Sequence, residues 1–126
     1  MNTIARNFLS AAVIYGLIGL ALGLHMAISQ DHGQMPTHAH IQVIGWVSFF
    51  LFATYYQVFG TGSSGMLAKV HFWLAQISML GIMIGLWLIY SGRTELEPIA
   101  AVSSLAYAAS FLLFAYIVFT GSRKTG

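Results

Sequence analysis

The sequence predicts an all-α protein: a transmembrane four-helix bundle with both termini in the cytoplasm. Three observations carry that prediction. Hydrophobic residues fill 58% of the 126 positions and charged residues only 6%, whereas a soluble domain carries about 25% charged residues. The apolar residues fall into four runs close to the length of about 20 residues that crosses the hydrocarbon of a bilayer. The basic residues divide unevenly between the two ends of those runs. Mean hydropathy is +0.79, and five Lys/Arg with three Asp/Glu cannot cover the surface of a water-soluble globule of this size. Residues 1–126 therefore read as a single membrane domain whose main partner is the lipid bilayer.

The first span is read over about 7–29. Arg6 ahead of an apolar run has the superficial look of a secretory signal. The run exceeds the roughly 7–15-residue core of such signals and no Ala-x-Ala site follows, so it reads as a span. A polar turn from Gln30 to Met35 ends at Pro36, a residue suited to the first turn of a helix, and this opens the second span at about 36–59. The Gly/Ser-rich connection 60–65 leads to the third span, about 70–90. The segment 91–98 holds both glutamates and Pro98 and leads into the fourth, about 98–120.

Arg6, Lys69, Arg123 and Lys124 fall on one side of this arrangement and only Arg93 on the other. The positive-inside bias then places the termini in the cytoplasm of a multi-pass protein of the cell's inner membrane. The net charge of +2 reports that orientation and gives no reason to expect a nucleic-acid partner. The lack of Cys excludes disulfides, thiol catalysis and cysteine metal sites. Paired-carboxylate chemistry is nearly excluded as well, since the only acids are Asp31, Glu95 and Glu97. Gly16, Gly19 and Gly23 in the first span, and Gly81 and Gly85 in the third, form small-residue faces. Such faces serve helix contact first, and a flat ligand or a dimer contact second.

Five histidines carry the functional information, because coordinating side chains at membrane depth are expensive and default to functional hypotheses. His25 lies about one turn before the end of the first span, and His38 and His40 lie in the first turns of the second. All three therefore share nearly one depth, with His25 and His40 roughly 6 Å inside the outer boundary at 1.5 Å per residue. Imidazoles from two antiparallel neighbours at one depth can face each other across a metal or a haem. His38 and His40 differ by two helical steps and point to different faces, which suits separate partners better than joint chelation. Gly45 offers clearance, and Trp46, Phe49, Phe50 and Phe52 are available to wall a porphyrin.

His32 reads as a solvated loop residue. His71 lies about 30 Å away at the cytoplasmic side and reads as a hydrogen-bonding group between helices. Trp46, Trp73, Tyr55 and Tyr56 also suit an interfacial aromatic belt. Met26 and Met35 are soft-ligand candidates, and equally plain core fillers.

The run Thr37-His38-Ala39-His40, then Gly45, Phe52 and Tyr55-Tyr56, then Leu67-Ala68-Lys69-Val70-His71-Phe72-Trp73-Leu74, resembles two consecutive helices of haem–copper oxidase subunit I. The likeness covers roughly 37–85, and the chain as a whole resembles the small stand-alone four-helix relatives of that subunit or of the nitric-oxide-responsive haem–copper membrane proteins. In that family a His-x-His pair opens one helix at the outer side, one His ligating the high-spin haem and the other the low-spin haem. The resemblance thus implies that His38 and His40 are haem ligands, and that His71 is not. No copper-binding histidine set accompanies them, and the four runs contain no Asp, Glu or Lys for a proton pathway.

The expectation is a haem b protein with His25 opposite His40 as the axial pair. His38 is then a substitute ligand, or serves a second haem or one shared across a dimer. Function follows as electron transfer, with a redox partner or quinol, or as NO or O2 binding, in a respiratory membrane. A complete oxidase is not expected. The alternatives are a copper or zinc carrier built on His25, His32, His38 and the methionines, or a structural subunit of a respiratory complex without cofactor. The small-residue faces point to a homo-oligomer, most simply a dimer.

Overall fold

The computed structural model describes residues 1–60 and 65–124, with side chains through Gly121. Four helices run across it, each long and apolar enough to span a membrane: α1 Thr3–Ser29, α2 Met35–Phe59, α3 Met66–Tyr90 and α4 Glu97–Lys124. No strand occurs among the described residues. The chain is a multi-pass membrane protein of the all-α class, as expected. Most of the Gly/Ser connection at 60–65 lies outside the described residues.

The helices begin earlier than the apolar runs because polar residues cap them. Asn2 accepts from Ala5 N–H at 2.8 Å at the start of α1, satisfying one of the donors a helix leaves free at its N-terminus. Gln30 ends α1 in the left-handed region with φ 60. Pro36 stands in the first turn of α2, where its missing N–H costs nothing. Gly60, at φ 67, ends α2 in a conformation that favours glycine. A short 3-10 turn, Thr94–Leu96, precedes α4.

Within α2, Ile41–Val47 is π-helical. A π turn shifts the hydrogen-bond ladder and leaves carbonyls in need of donors. Tyr107 Oη meets that need at Ile44 O, reaching it from α4 at 2.7 Å, while Val43 O accepts from both the backbone N–H and the hydroxyl of Ser48, the latter at 2.9 Å.

Four crossings place both termini at one end of the bundle, the proximal end, and the α1–α2 and α3–α4 connections at the other, the distal end. The closest pairs are the sequential hairpins α1–α2 and α3–α4, and α3 also lies against α1 and the distal part of α2. α4 leans on α3 and is the least enclosed of the four. Its Phe114 nevertheless meets Phe52 of α2 with ring centroids 4.7 Å apart. The proximal half is an aromatic core in which Phe8 lies edge-on to Phe49, Phe52 and Phe72.

The glycine faces serve helix contact inside the chain. A Cβ on Gly19 would stand 2.5 Å from Gln42 Cδ, and one on Gly85 only 2.7 Å from the backbone N of Ala100. Gly16 and Gly23 likewise sit under Trp46 and His38. The sequence argument for a dimer drew on these faces, and they are already covered by the chain's own helices.

Candidate cofactor-binding site

The site begins with the two residues that Pro36 helps to seat at the distal start of α2. Two helical steps, each about 100°, set the side chains of His38 and His40 on nearly opposite faces. His38 turns inward and rests over Gly23 of α1. Its Nδ1–H donates to the carbonyl of Gly19 at 2.8 Å. His40 turns outward and is exposed, and its Nδ1–H donates to the carbonyl of Pro36 at 2.7 Å. A carbonyl can only accept, so Nδ1 carries a proton in both rings, and in the neutral form of either ring the lone pair is on Nε2. Fixing one ring nitrogen on a backbone carbonyl is how proteins orient an imidazole that ligates through the other.

His25 takes neither of those directions. It lines a distal hollow of about 390 Å³ together with Met26, Asp31 and Gln34, facing Trp87 and Tyr90 of α3. The expected pairing of His25 with His40 is therefore not formed within one chain. The two share a depth, but α1 presents His25 toward α3 whereas α2 presents His40 outward. Equal depth along two helices fixes height only; the direction of each side chain depends on how each helix is rotated about its axis.

The expected porphyrin wall also comes apart. Gly45 is buried against Tyr15, where a Cβ would come within 3.0 Å of that side chain. Its clearance serves the α1–α2 contact. Trp46 lies over Gly16 and lines a separate groove of about 250 Å³ with Val13, Leu17 and Leu20. Phe49 and Phe52 are fully buried in the proximal aromatic core. Phe50 alone remains exposed beside Trp46, at 5.4 Å between centroids.

The copper or zinc arrangement is not assembled either. Among the described residues no group of three or more His, Asp or Glu is placed to hold a metal ion. His32 is exposed in the loop as expected, its Nδ1–H donating to Gln30 O at 3.2 Å. At the same end, Arg93 Nε donates to Glu95 at 2.7 Å and holds that exposed carboxyl below its ordinary range.

Two polar groups in the interior take places that sequence reasoning did not give them. Gln42 lies one turn after His38 on the face that meets the glycines of α1, and its buried Oε1 has no hydrogen-bond partner among the described residues. The signal was the spacing 38, 42, 46 set against Gly23, Gly19 and Gly16. The second is Tyr56. It was read as a belt residue, but it is fully buried and hydrogen-bonds His71 Nδ1 at 2.9 Å. His71 itself is fully buried, stacked on Phe114 and edge-on to Phe52, and its Nε2 has no hydrogen-bond partner among the described residues. Its expected part as a cross-helix hydrogen-bonding residue is what the geometry provides. Trp73 is 59% exposed on the outside of α3 and suits the belt.

No protein family, curated protein or solved structure matches this chain.

Proposed function

We propose that the chain is a membrane haem b protein in which His40 is the axial ligand presented to the cofactor. One observation carries this reading: an imidazole at membrane depth on the outward face of α2, its Nδ1–H fixed on Pro36 O and its Nε2 lone pair unclaimed. A polar ring kept there is expensive in lipid unless something binds it. The resemblance to haem–copper oxidase subunit I supports the same residue type at the same place in the helix.

The fit is partial, and that shapes the proposal. An intrachain pair of His25 and His40 does not suit an iron between them, because the two rings serve different faces. His40 on an open face suits a haem lying against α2, with His40 of a second copy completing a bis-histidine pair. Haem iron would supply one-electron exchange when both histidines hold it, or gas binding where a single His40 does. His38 is the reserve ligand, its Nε2 equally free but its ring half-buried against α1.

The test is the reduced-minus-oxidised spectrum of the protein purified after haem-replete growth, with and without CO. Wild type and His25→Ala are expected to show b-type bands, and His40→Ala to lose them. A stoichiometry of one haem per two chains is expected for the shared pair. A colourless wild type, or bands that persist unchanged in His40→Ala, refutes the proposal.

A further inference from the structure

The hollow that holds His25 has a second part. Beside it, with Trp87 lining both, lies a groove of about 300 Å³ walled by Ile18 and Leu22 of α1, Thr37 and Ile41 of α2 and Met83 and Ile84 of α3, whose open surface is apolar. Ile18, Leu22 and His25 stand at i, i+4 and i+7, one face of one helix. The two adjoin between α1 and α3 against the start of α2, and we treat them together as one cleft with a polar mouth and an apolar depth.

The mouth is specific about charge. Its lining contains Asp31 and no Lys or Arg, and the nearby guanidinium of Arg93 is already joined to Glu95. An anionic head, whether a lipid phosphate or a haem propionate, would meet an acid and no cation there. The hydrogen-bonding groups left to a ligand are an imidazole and a phenol. Among the described residues the side chains of His25 and Tyr90, which face each other across the mouth from α1 and α3, make no hydrogen bond, whereas Gln34 is already committed to Trp87 O and Ser91 Oγ.

We infer that this cleft binds an isoprenoid quinone, its carbonyl-bearing ring at His25 and Tyr90 and its tail along Ile18, Leu22 and Ile84. A neutral ring with polar groups at both ends, joined to a long apolar chain, matches the change from mouth to depth. The cleft does not contain His40, so this inference is independent of the haem assignment and holds for a colourless protein as well.

The full-length chain in phosphatidylcholine nanodiscs is photolabelled with an azido-ubiquinone carrying a short tail, in the presence or absence of competitors. Labels are expected on α1 around 18–25 and on α3 around 83–91. Decylubiquinone is expected to displace them, and decanol at the same concentration to leave them. His25 is exposed, so His25→Ala keeps the fold. Loss of its hydrogen bond is expected to weaken displacement by decylubiquinone about fivefold. Ile84→Trp, which fills the groove, is expected to abolish labelling, with circular dichroism and thermal midpoint verifying its fold. Labels spread evenly over all four helices, displacement by decanol as effective as by the quinone, or unchanged affinity in His25→Ala would each overturn the inference. Should Ile84→Trp not fold, the label map and His25→Ala decide alone.

Discussion

Replacing Tyr56 by Phe removes one oxygen atom from the proximal core and keeps the ring. That oxygen is hydrogen-bonded to His71 Nδ1 at 2.9 Å, and both residues are fully buried. Since His71 Nε2 has no hydrogen-bond partner among the described residues, the arrangement that leaves no bare lone pair has the phenol donating to Nδ1 and Nε2–H set against the aromatic rings. Tyr56→Phe then leaves Nδ1 unsatisfied among Phe8, Phe52 and Phe114. An unsatisfied buried polar group costs about 1–3 kcal/mol in a soluble protein. Cross-helix hydrogen bonds in membranes average only about 0.6 kcal/mol, because the unfolded chain in the bilayer also finds partners.

Phe8, Phe52 and Phe114 pack against His71, so we expect the lower end of the first range, about 1 kcal/mol. His71→Phe is expected to cost a similar amount by orphaning the Tyr56 hydroxyl. The double variant should cost less than either single, because replacing both partners with apolar groups of like shape is nearly neutral. The assay is a double-mutant cycle on unfolding in mixed micelles titrated with SDS. Single variants indistinguishable from wild type, or a double variant equal to the sum of the singles, would refute the reasoning. The b-type spectrum is expected to survive all three, which separates this proximal histidine from the distal ones.

Gly85→Ala is expected to destabilise by about 1–3 kcal/mol, since its Cβ would press on the backbone N and Cα of Ala100 at 2.7 and 2.9 Å. Gly81→Ala meets Ser103, whose hydroxyl can rotate away but whose Cβ, 2.9 Å from the new methyl, moves only with α4, so it should also destabilise; an unchanged thermal midpoint would contradict this. Tyr107→Phe takes the donor from Ile44 O in the π turn. It should cost about 1 kcal/mol and raise amide exchange in α2 more than in α1. Glu95 is held below its usual range by Arg93, so its contribution is present above the ordinary carboxylate pKa and disappears as pH falls through the depressed folded value. The pair is exposed, so Arg93→Gln should remove a weak acid dependence of loop exchange and leave the thermal midpoint unchanged. The chain has no Cys, so a single cysteine at His32 or at Lys69 reports sidedness. A membrane-impermeant maleimide added to intact cells should label the first and not the second, and the reverse would invert the orientation drawn from charge.

The class of the protein was legible in its composition. Apolar runs near the thickness of a bilayer leave a chain no other way to satisfy its backbone than four crossing helices. Boundaries were legible to within a few residues, because Pro36 and Gly60 act locally and need no tertiary partner. The depth of each histidine was legible too, since rise per residue is a property of one helix. The rotation of each helix about its axis was not. It was decided where Gly16, Gly19 and Gly23 accepted Trp46, Gln42 and His38, which turned His38 inward and left His40 on the outside. The same packing aimed His25 at α3, and only the assembled bundle showed Tyr56 closing on His71. Helical periodicity says which side chains share a face, whereas the neighbour that face meets is set by side-chain volumes on two helices at once.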